Sequence, residues 1–296
     1  MARIGFLACE TTLPGAGERR EDAFEHDNMI KALAPAFKTA GLGLHVIDWE
    51  APLEDFEGLD LVMLGTAWNY QDKAEEFLEK LEALEGQGIA VCNPPDIVRW
   101  NITKTYLREL ESLGAQTIPT IWLDSVSRKN ADDAMEAFGC EKLVVKRQIG
   151  AGALGQELLS AGNIADDWHF DAPAMLQPYL SAIEQQGELS FIFIDGELSH
   201  ALRKRPASGD YRIQSMYGGR EEVHVPTRSE ADQAAAIIAA LPFDKPLYAR
   251  VDMLSRDDDD LALMEAELIE PYLYPEQGPQ FGELIARAIA RRVKTT

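Results

Sequence analysis

Positive charge is the first thing this sequence is short of. It sets 28 Lys and Arg against 50 Asp and Glu, for a net charge of −22. A chain this acidic repels polyphosphate backbones and anionic lipid, so nucleic acid and membrane surfaces are excluded as partners. Cysteine is scarce too. Cys9, Cys92 and Cys140 are odd in number, far apart and outside any Cys-x-x-Cys or Cys/His pattern, which excludes a disulfide framework and a zinc site and fits a reducing cytoplasm. His26, His45, His169, His200 and His224 are scattered, so a metal–histidine centre is not signalled. No run approaches the ~18 apolar residues of a membrane span, and the apolar stretch before Glu10 is too short for the core of a signal peptide. A Gly-x-Ser-x-Gly elbow is missing, so no serine nucleophile is indicated.

What is present is a large apolar fraction, 46%, spread over 296 residues, enough for two domains with substantial cores. Residues 3–9, 42–47, 59–64 and 89–92 read as strands. Met29, Ile30, Leu33 and Phe37 mark one helix between them, and Phe77, Leu78, Leu81 and Leu84 mark another. Alternation of strand and helix predicts a parallel α/β layer, and Asn93-Pro94-Pro95 ends it. The expected boundary divides an α/β unit, 1–94, from an α+β unit, 95–296. In the second unit a helix is expected over 102–113, strands over 118–123 and 142–146, and two strands around the Asp195-Gly196 turn within 188–204. Strands over 247–254 and 261–269 flank an acidic turn, and a last helix runs over 284–293.

Gly150, Gly152 and Gly155 match the Gly-x-Gly-x-x-Gly of dinucleotide-binding folds, but the stretch after them has room for only a short helix and no acidic residue stands at the required offset. Lys146 offers another use for that loop, because an ammonium at a strand end and the backbone amides of a flexible Gly/Ala segment can surround a triphosphate. An ordinary surface cation would look the same. Arg250 and Asp252 lie two apart, as do Glu265 and Glu267, so each pair shares one face of its strand. Spacing alone leaves a solvent-facing ionic stripe and a magnesium site equally open.

Taken in order, Lys146, the segment Leu176-Gln177-Pro178-Tyr179-Leu180, Gly187-Glu188, Arg250-x-Asp252 and Glu265-x-Glu267 before Pro271 resemble the ATP-grasp superfamily. The likeness is to its D-alanine–D-alanine ligase, glutathione synthetase and RimK-like members, and spans about 93–296; the first 92 residues look like the preceding pre-ATP-grasp domain. The resemblance implies an ATP-grasp fold of two subdomains clamping ATP, with 119–174 as a lid, and an ADP-forming carboxylate–amine ligase or cyclo-ligase with ATP and Mg²⁺ as cofactors. It implies phosphate contacts from Lys104, Lys146 and the loop at Gly152, adenine contacts from Gln177, Tyr179 and Leu180, and ribose contacts from Glu188. Asp252, Glu265 and Glu267 would hold Mg²⁺, with Glu267 standing where most members have Asn, and Arg250 would face the oxyanion. WNITKTYL, the segment from Gly187 to Gly219 and ELIEP are similar to the subgroup containing cycloserine-forming cyclo-ligases, in which Arg203, Lys204 and Arg212 would lie near the phosphates and the substrate carboxylate. That subgroup usually carries Arg-Ser-x-Trp-Asp-Tyr where this chain has Gly65-Thr66-Ala67-Trp68-Asn69-Tyr70. Substrate choice is expected from Glu10, Trp68, Asn69 and Tyr70 at strand ends. The implied partners are a small-molecule carboxylate and an amine or amide, and a homodimer is compatible with the sequence. The rival readings are a nucleotide-binding regulatory module without turnover and an NAD-dependent oxidoreductase.

Overall fold

The computed structural model describes residues 1–293 apart from 16, 151, 153, 154, 208–211, 214–217 and 257–259. β1 (Ala2–Ala8), α1 (Ala23–Thr39), β2 (Leu42–Asp48), β3 (Leu61–Thr66), α2 (Ala74–Gly86) and β4 (Ala90–Cys92) follow the expected alternation. The four strands form a parallel sheet in the order β2-β1-β3-β4. Burial on both faces explains why β1 and β3 are almost continuously apolar.

The helix expected over 102–113 is instead two short helices, α3 (Pro95–Asn101) and α4 (Tyr106–Ser112), with Lys104 in the turn between them. There the backbone N–H of Lys104 donates to the Gln148 carbonyl (2.8 Å), an attachment that a continuous helix would forbid. A second sheet follows, built from β5 (Ile121–Leu123), β7 (Lys142–Arg147), β8 (Glu157–Ser160) and β10 (Ala174–Pro178), with α5 (Arg128–Phe138) against it. β6 (Val126–Ser127) and β9 (His169–Phe170) pair beside it. The sheet is antiparallel in the order β5-β10-β7-β8. The strand leaving the glycine loop is therefore β8, running back along β7, and not the helix that a dinucleotide fingerprint requires. Part of that loop lies outside the described residues.

α6 (Ala182–Gln185) leads into the largest sheet, β11 (Glu188–Ile194), β12 (Glu197–Arg205), β13 (Arg220–His224), β14 (Tyr248–Ser255) and β15 (Leu261–Glu267), ordered β13-β12-β11-β14-β15, with α7 (Arg228–Ala239) packed on it. α8 (Phe281–Val293) crosses back onto α1. Two buried asparagines pin the sheets together. Asn93 donates to the Tyr248 and Leu268 carbonyls (3.0 and 2.7 Å) and accepts from the Leu247 N–H, while Asn101 donates to the Ala266 carbonyl and accepts from the Leu268 N–H. Each amide satisfies backbone groups that burial would otherwise orphan. No helix among the described residues is long and apolar enough to cross a membrane.

Candidate active site

Strand register assembles the centre of the site. β11 pairs Glu188 with Lys204 and Ser190 with Asp252, while β14 pairs Arg250 with Glu267 and Asp252 with Glu265. Alternation along each strand puts this set on one face. Gly187 makes the approach of β11 possible: at φ +82° it lies in the left-handed region, and a Cβ there would stand 2.4 Å from the Lys204 carbonyl. Lys204 Nζ reaches Glu188 (3.1 Å) and Asp252 (3.4 Å), Ser190 Oγ donates to Asp252, and Arg250 Nε donates to both Asp252 oxygens (3.1 and 3.0 Å). Arg250 also donates to the Tyr272 carbonyl and to Glu267, and Lys104 donates to the Gly150 carbonyl (2.8 Å) and pairs with Glu265.

These groups line a cavity of about 300 Å³ roofed by the second sheet. Lys146 projects into it from β7. Its ammonium is lowered by burial and by Lys104, against the pull of Glu265 and Glu188, and among the described residues no hydrogen bond or salt bridge satisfies it. At the other end Gln177, Tyr179 and Leu180 meet Ile118, Val144, Ile213 and Met264 in an apolar slot suited to a flat heterocycle. Gln177 donates to Thr120 Oγ1 (3.0 Å), and the Tyr179 N–H already serves the Lys142 carbonyl. Gly152 and Arg212 reach the same cavity.

Thirteen of the fourteen expected site residues therefore share one cavity, and Arg203 does not line it. The reason is alternation: with Lys204 turned inward against Glu188, Arg203 must point to the opposite face, where it donates to the Gln186 carbonyl (2.6 Å) and nears Glu222 (4.0 Å). The three carboxylates expected to hold a metal line the cavity, but among the described residues no three acidic, His or Cys side chains are grouped closely enough to bind one as they stand. Each is held by a cation instead. Burial raises Glu188 and Glu267 to about 7, with Lys204 and Arg250 respectively opposing the shift. Burial acts the same way on Asp252, but Arg250 and Lys204 outweigh it and hold that carboxyl below its ordinary range.

The cavity also holds side chains that sequence reasoning missed. Arg20, Asp22 and Glu25 come from the irregular stretch and start of α1, and Glu270, Tyr272 and Tyr274 from the segment after β15. None belongs to a strand whose periodicity could have announced it. Of the expected strand-end residues only Trp68 lines the cavity. Glu10 is exposed and outside it, and Tyr70 is buried against Phe77. Asn69 accepts from Trp49 Nε1 and donates to Glu50 (both 2.6 Å), so its amide holds the loop and does not face the cavity. This arrangement accounts for two of the departures from the subgroup pattern, at Asn69 and Gly65. An Asp at 69 would face Glu50 with like charge, and a Cβ at Gly65 would meet the Phe6 ring at 2.2 Å.

Comparison with known proteins agrees with this architecture. The family model described as D-cycloserine synthetase DcsG, N-terminal domain, matches residues 4–93. Cycloserine biosynthesis protein DcsG of Streptomyces lavendulae is 29% identical over 297 residues, covering 90% of this chain and 95% of that protein. The crystal structure of D-cycloserine synthetase DcsG superposes with a TM-score of 0.81 at 24% identity, covering 99% of this chain and 100% of the other. D-alanine–D-alanine ligase from Bacillus anthracis, solved in complex with ATP, gives 0.70 at 18% identity, covering 100% and 99%. The chain has the ATP-grasp fold, and over most of its length it is similar to enzymes built on it.

Proposed function

We propose that this ligase binds ATP between the second and third sheets, uses it to activate a small carboxylate as an acyl phosphate, and passes the acyl group to an amine or similar nucleophile. The observation that carries the assignment of the nucleotide site is Lys146, a half-buried cation with a desolvated ammonium and no hydrogen bond among the described residues, facing a cavity that ends in an apolar slot. A phosphate supplies the missing partner, and the slot takes the base. A substrate carboxylate oxygen attacks the γ-phosphorus as the bond to ADP breaks. The nucleophile then attacks the acyl carbon, and inorganic phosphate leaves with the C–O bond electrons.

Lys104, Lys146 and Lys204 position the phosphates, and Arg250 keeps part of its five-donor fork for the oxyanion of the tetrahedral intermediate. Asp252, Glu265 and Glu267 are hard oxygen donors that fit Mg²⁺, whose contribution when bound is to offset phosphate charge. Those carboxylates pair with Lys104, Lys204 and Arg250, cations that phosphates can engage while a metal cation engages the carboxylates. Use of ATP and small acids suits a cytoplasmic enzyme, and the site provides all the groups that a regulatory module without turnover would not need.

A second form of the reaction, in which acid and nucleophile belong to one molecule, is favoured by the likeness to cycloserine biosynthesis protein DcsG over 90% of this chain. The test is ADP release from Mg·ATP over a panel of amino acids, ureido acids and small dicarboxylates, with product mass separating ring closure from coupling. Release no faster with any acid than with ATP alone would count against the ligase reading.

A further inference from the structure

The buried carboxylates of the cavity differ in one respect. Asp252 is paired with Arg250 and Lys204, Glu188 with Lys204, Glu267 with Arg250, and Glu265 with Lys104. Glu270 lines the same cavity at 6% exposure, and among the described residues no Lys, Arg or His forms an ion pair with it. Its hydrogen-bond neighbour is the neutral Tyr70 hydroxyl. Burial and Glu267 push its carboxyl up to about 8, against the pull of Lys104, and a neutral structural role would have been met as well by an amide.

Glu270 is also fixed in place. Its backbone carbonyl accepts from Trp68 Nε1 (2.9 Å), and the indole is held in turn by Arg20, whose guanidinium lies 4.9 Å from the ring centroid. The segment is tied to Trp68 in the loop after β3 of the parallel sheet, whereas Lys146 projects from β7 of the second sheet. Anionic phosphates are poorly served by an unpaired carboxylate, so a different part of the reacting assembly must face it.

We infer that Glu270 is a specificity-determining residue that receives a protonated nitrogen of the substrate, so that the acid activated by this enzyme carries an ammonium group besides its reacting carboxylate. The inference rests on the ligase reading and adds the charge that the substrate must bring. An ammonium has donors to spare and supplies the ion pair that this buried carboxyl lacks. Trp68 and Tyr70 exclude water around that pair, which strengthens it.

The test uses the full chain with Mg²⁺ and the non-hydrolysable ATP analogue AMPPNP. Melting is followed on adding α-amino acids of both hands, each beside its 2-hydroxy counterpart. The wild type should show an AMPPNP shift and a further shift with one or more amino acids that the hydroxy partners do not give. Glu270→Gln, which keeps an acceptor for Tyr70, should keep the AMPPNP shift and bind the amino acid at least tenfold more weakly, and Glu270→Asp should restore part of the loss. Equal shifts from amino and hydroxy acids, no shift from any amino acid, or full amino-acid binding by Glu270→Gln would each overturn the inference. Loss of the AMPPNP shift in both variants would assign Glu270 to the nucleotide and overturn it as well. No AMPPNP shift in the wild type would instead sink the ligase reading beneath it.

Discussion

Lys146 is where the ligase reading can be tested most sharply, because stability and ligand binding should respond to its removal in opposite directions. Lys146 is half-buried, its ammonium is desolvated, and it makes no hydrogen bond among the described residues. Lys146→Met keeps the apolar stem and removes the charge, so the ligand-free protein should melt no lower than wild type, and higher if desolvation outweighs the attraction of Glu265 and Glu188. With Mg·ATP the order should reverse. A ligand at one hundred times its Kd stabilises the native state by about 2.7 kcal/mol. A charge-assisted hydrogen bond contributes about 1.5–3 kcal/mol, so its loss weakens Kd by roughly 10- to 150-fold. At the same ATP concentration the stabilisation should then fall to between about 1.4 and 0.3 kcal/mol. Thermal melting of both proteins with and without Mg·ATP measures all four quantities. An unchanged ATP shift in the variant would refute the assignment of Lys146 to a phosphate, and a large drop in ligand-free stability would refute the claim that it is kept for binding.

Three further outcomes are expected. Asp252→Asn removes the charge shared by Arg250 and Lys204 with little change in volume, so ADP release should fall at least a hundredfold while the protein stays folded by circular dichroism; an active variant with normal Mg²⁺ dependence would remove Asp252 from the metal set. Asn69→Asp should cost about 2 kcal/mol in urea unfolding by replacing a donor to Glu50 with a like charge, and leave ATP affinity alone; a change in KM for the acid with no change in stability would return this residue to the substrate site. Burial lowers His26 from 6.5 to about 4, so the unfolded chain takes up a proton there before the folded one does. Its contribution, about 3 kcal/mol, is fully present above pH 6.5 and is lost as pH falls from there towards 4; His26→Gln should flatten that limb of the melting curve, and an equally steep limb would place the titration elsewhere.

How much of this could be read from the sequence followed from where periodicity operates. Arg250, Asp252, Glu265 and Glu267 were legible because a two-residue spacing on adjacent strands has only one face to go to, and the register does bring Arg250 opposite Glu267 and Asp252 opposite Glu265. The pair Arg203-Lys204 was not, because neighbours on a strand cannot both face inward, and which one does depends on pairing with Glu188 after a register shift at Ile192/Phe193. Lys104 was found as a residue, but its setting was not: the apolar pattern of 102–113 reads as one helix, and the break at Lys104 is set by a long-range bond to Gln148. Arg20 carried no local signal, and Glu270, although part of the ELIEP segment, carried none that assigned it a role. They lie in irregular segments, and only the packing of the parallel sheet against the ATP-grasp core brings them to the cavity.

The net charge of −22 and an ATP site are reconciled by locality. Charges separated by more than the ~8 Å Debye length at physiological salt are largely screened, so an approaching nucleotide responds to what lines the cavity and only weakly to the distant acidic surface. Inside, the cations Lys104, Lys204 and Arg250 already hold carboxylates, which keeps them from being buried unpaired while the site waits. A metal cation entering with the nucleotide offers those carboxylates a new partner at the moment the phosphates offer the lysines theirs. The exchange conserves the number of ion pairs, so the site need not hold an excess of positive charge to receive a polyanion. Two groups stand outside that exchange, the half-buried cation Lys146 and the carboxyl of Glu270, which burial pushes up to about 8. Both line one cavity and suit ligands of opposite sign, as a reaction joining a triphosphate to an ammonium-bearing acid requires.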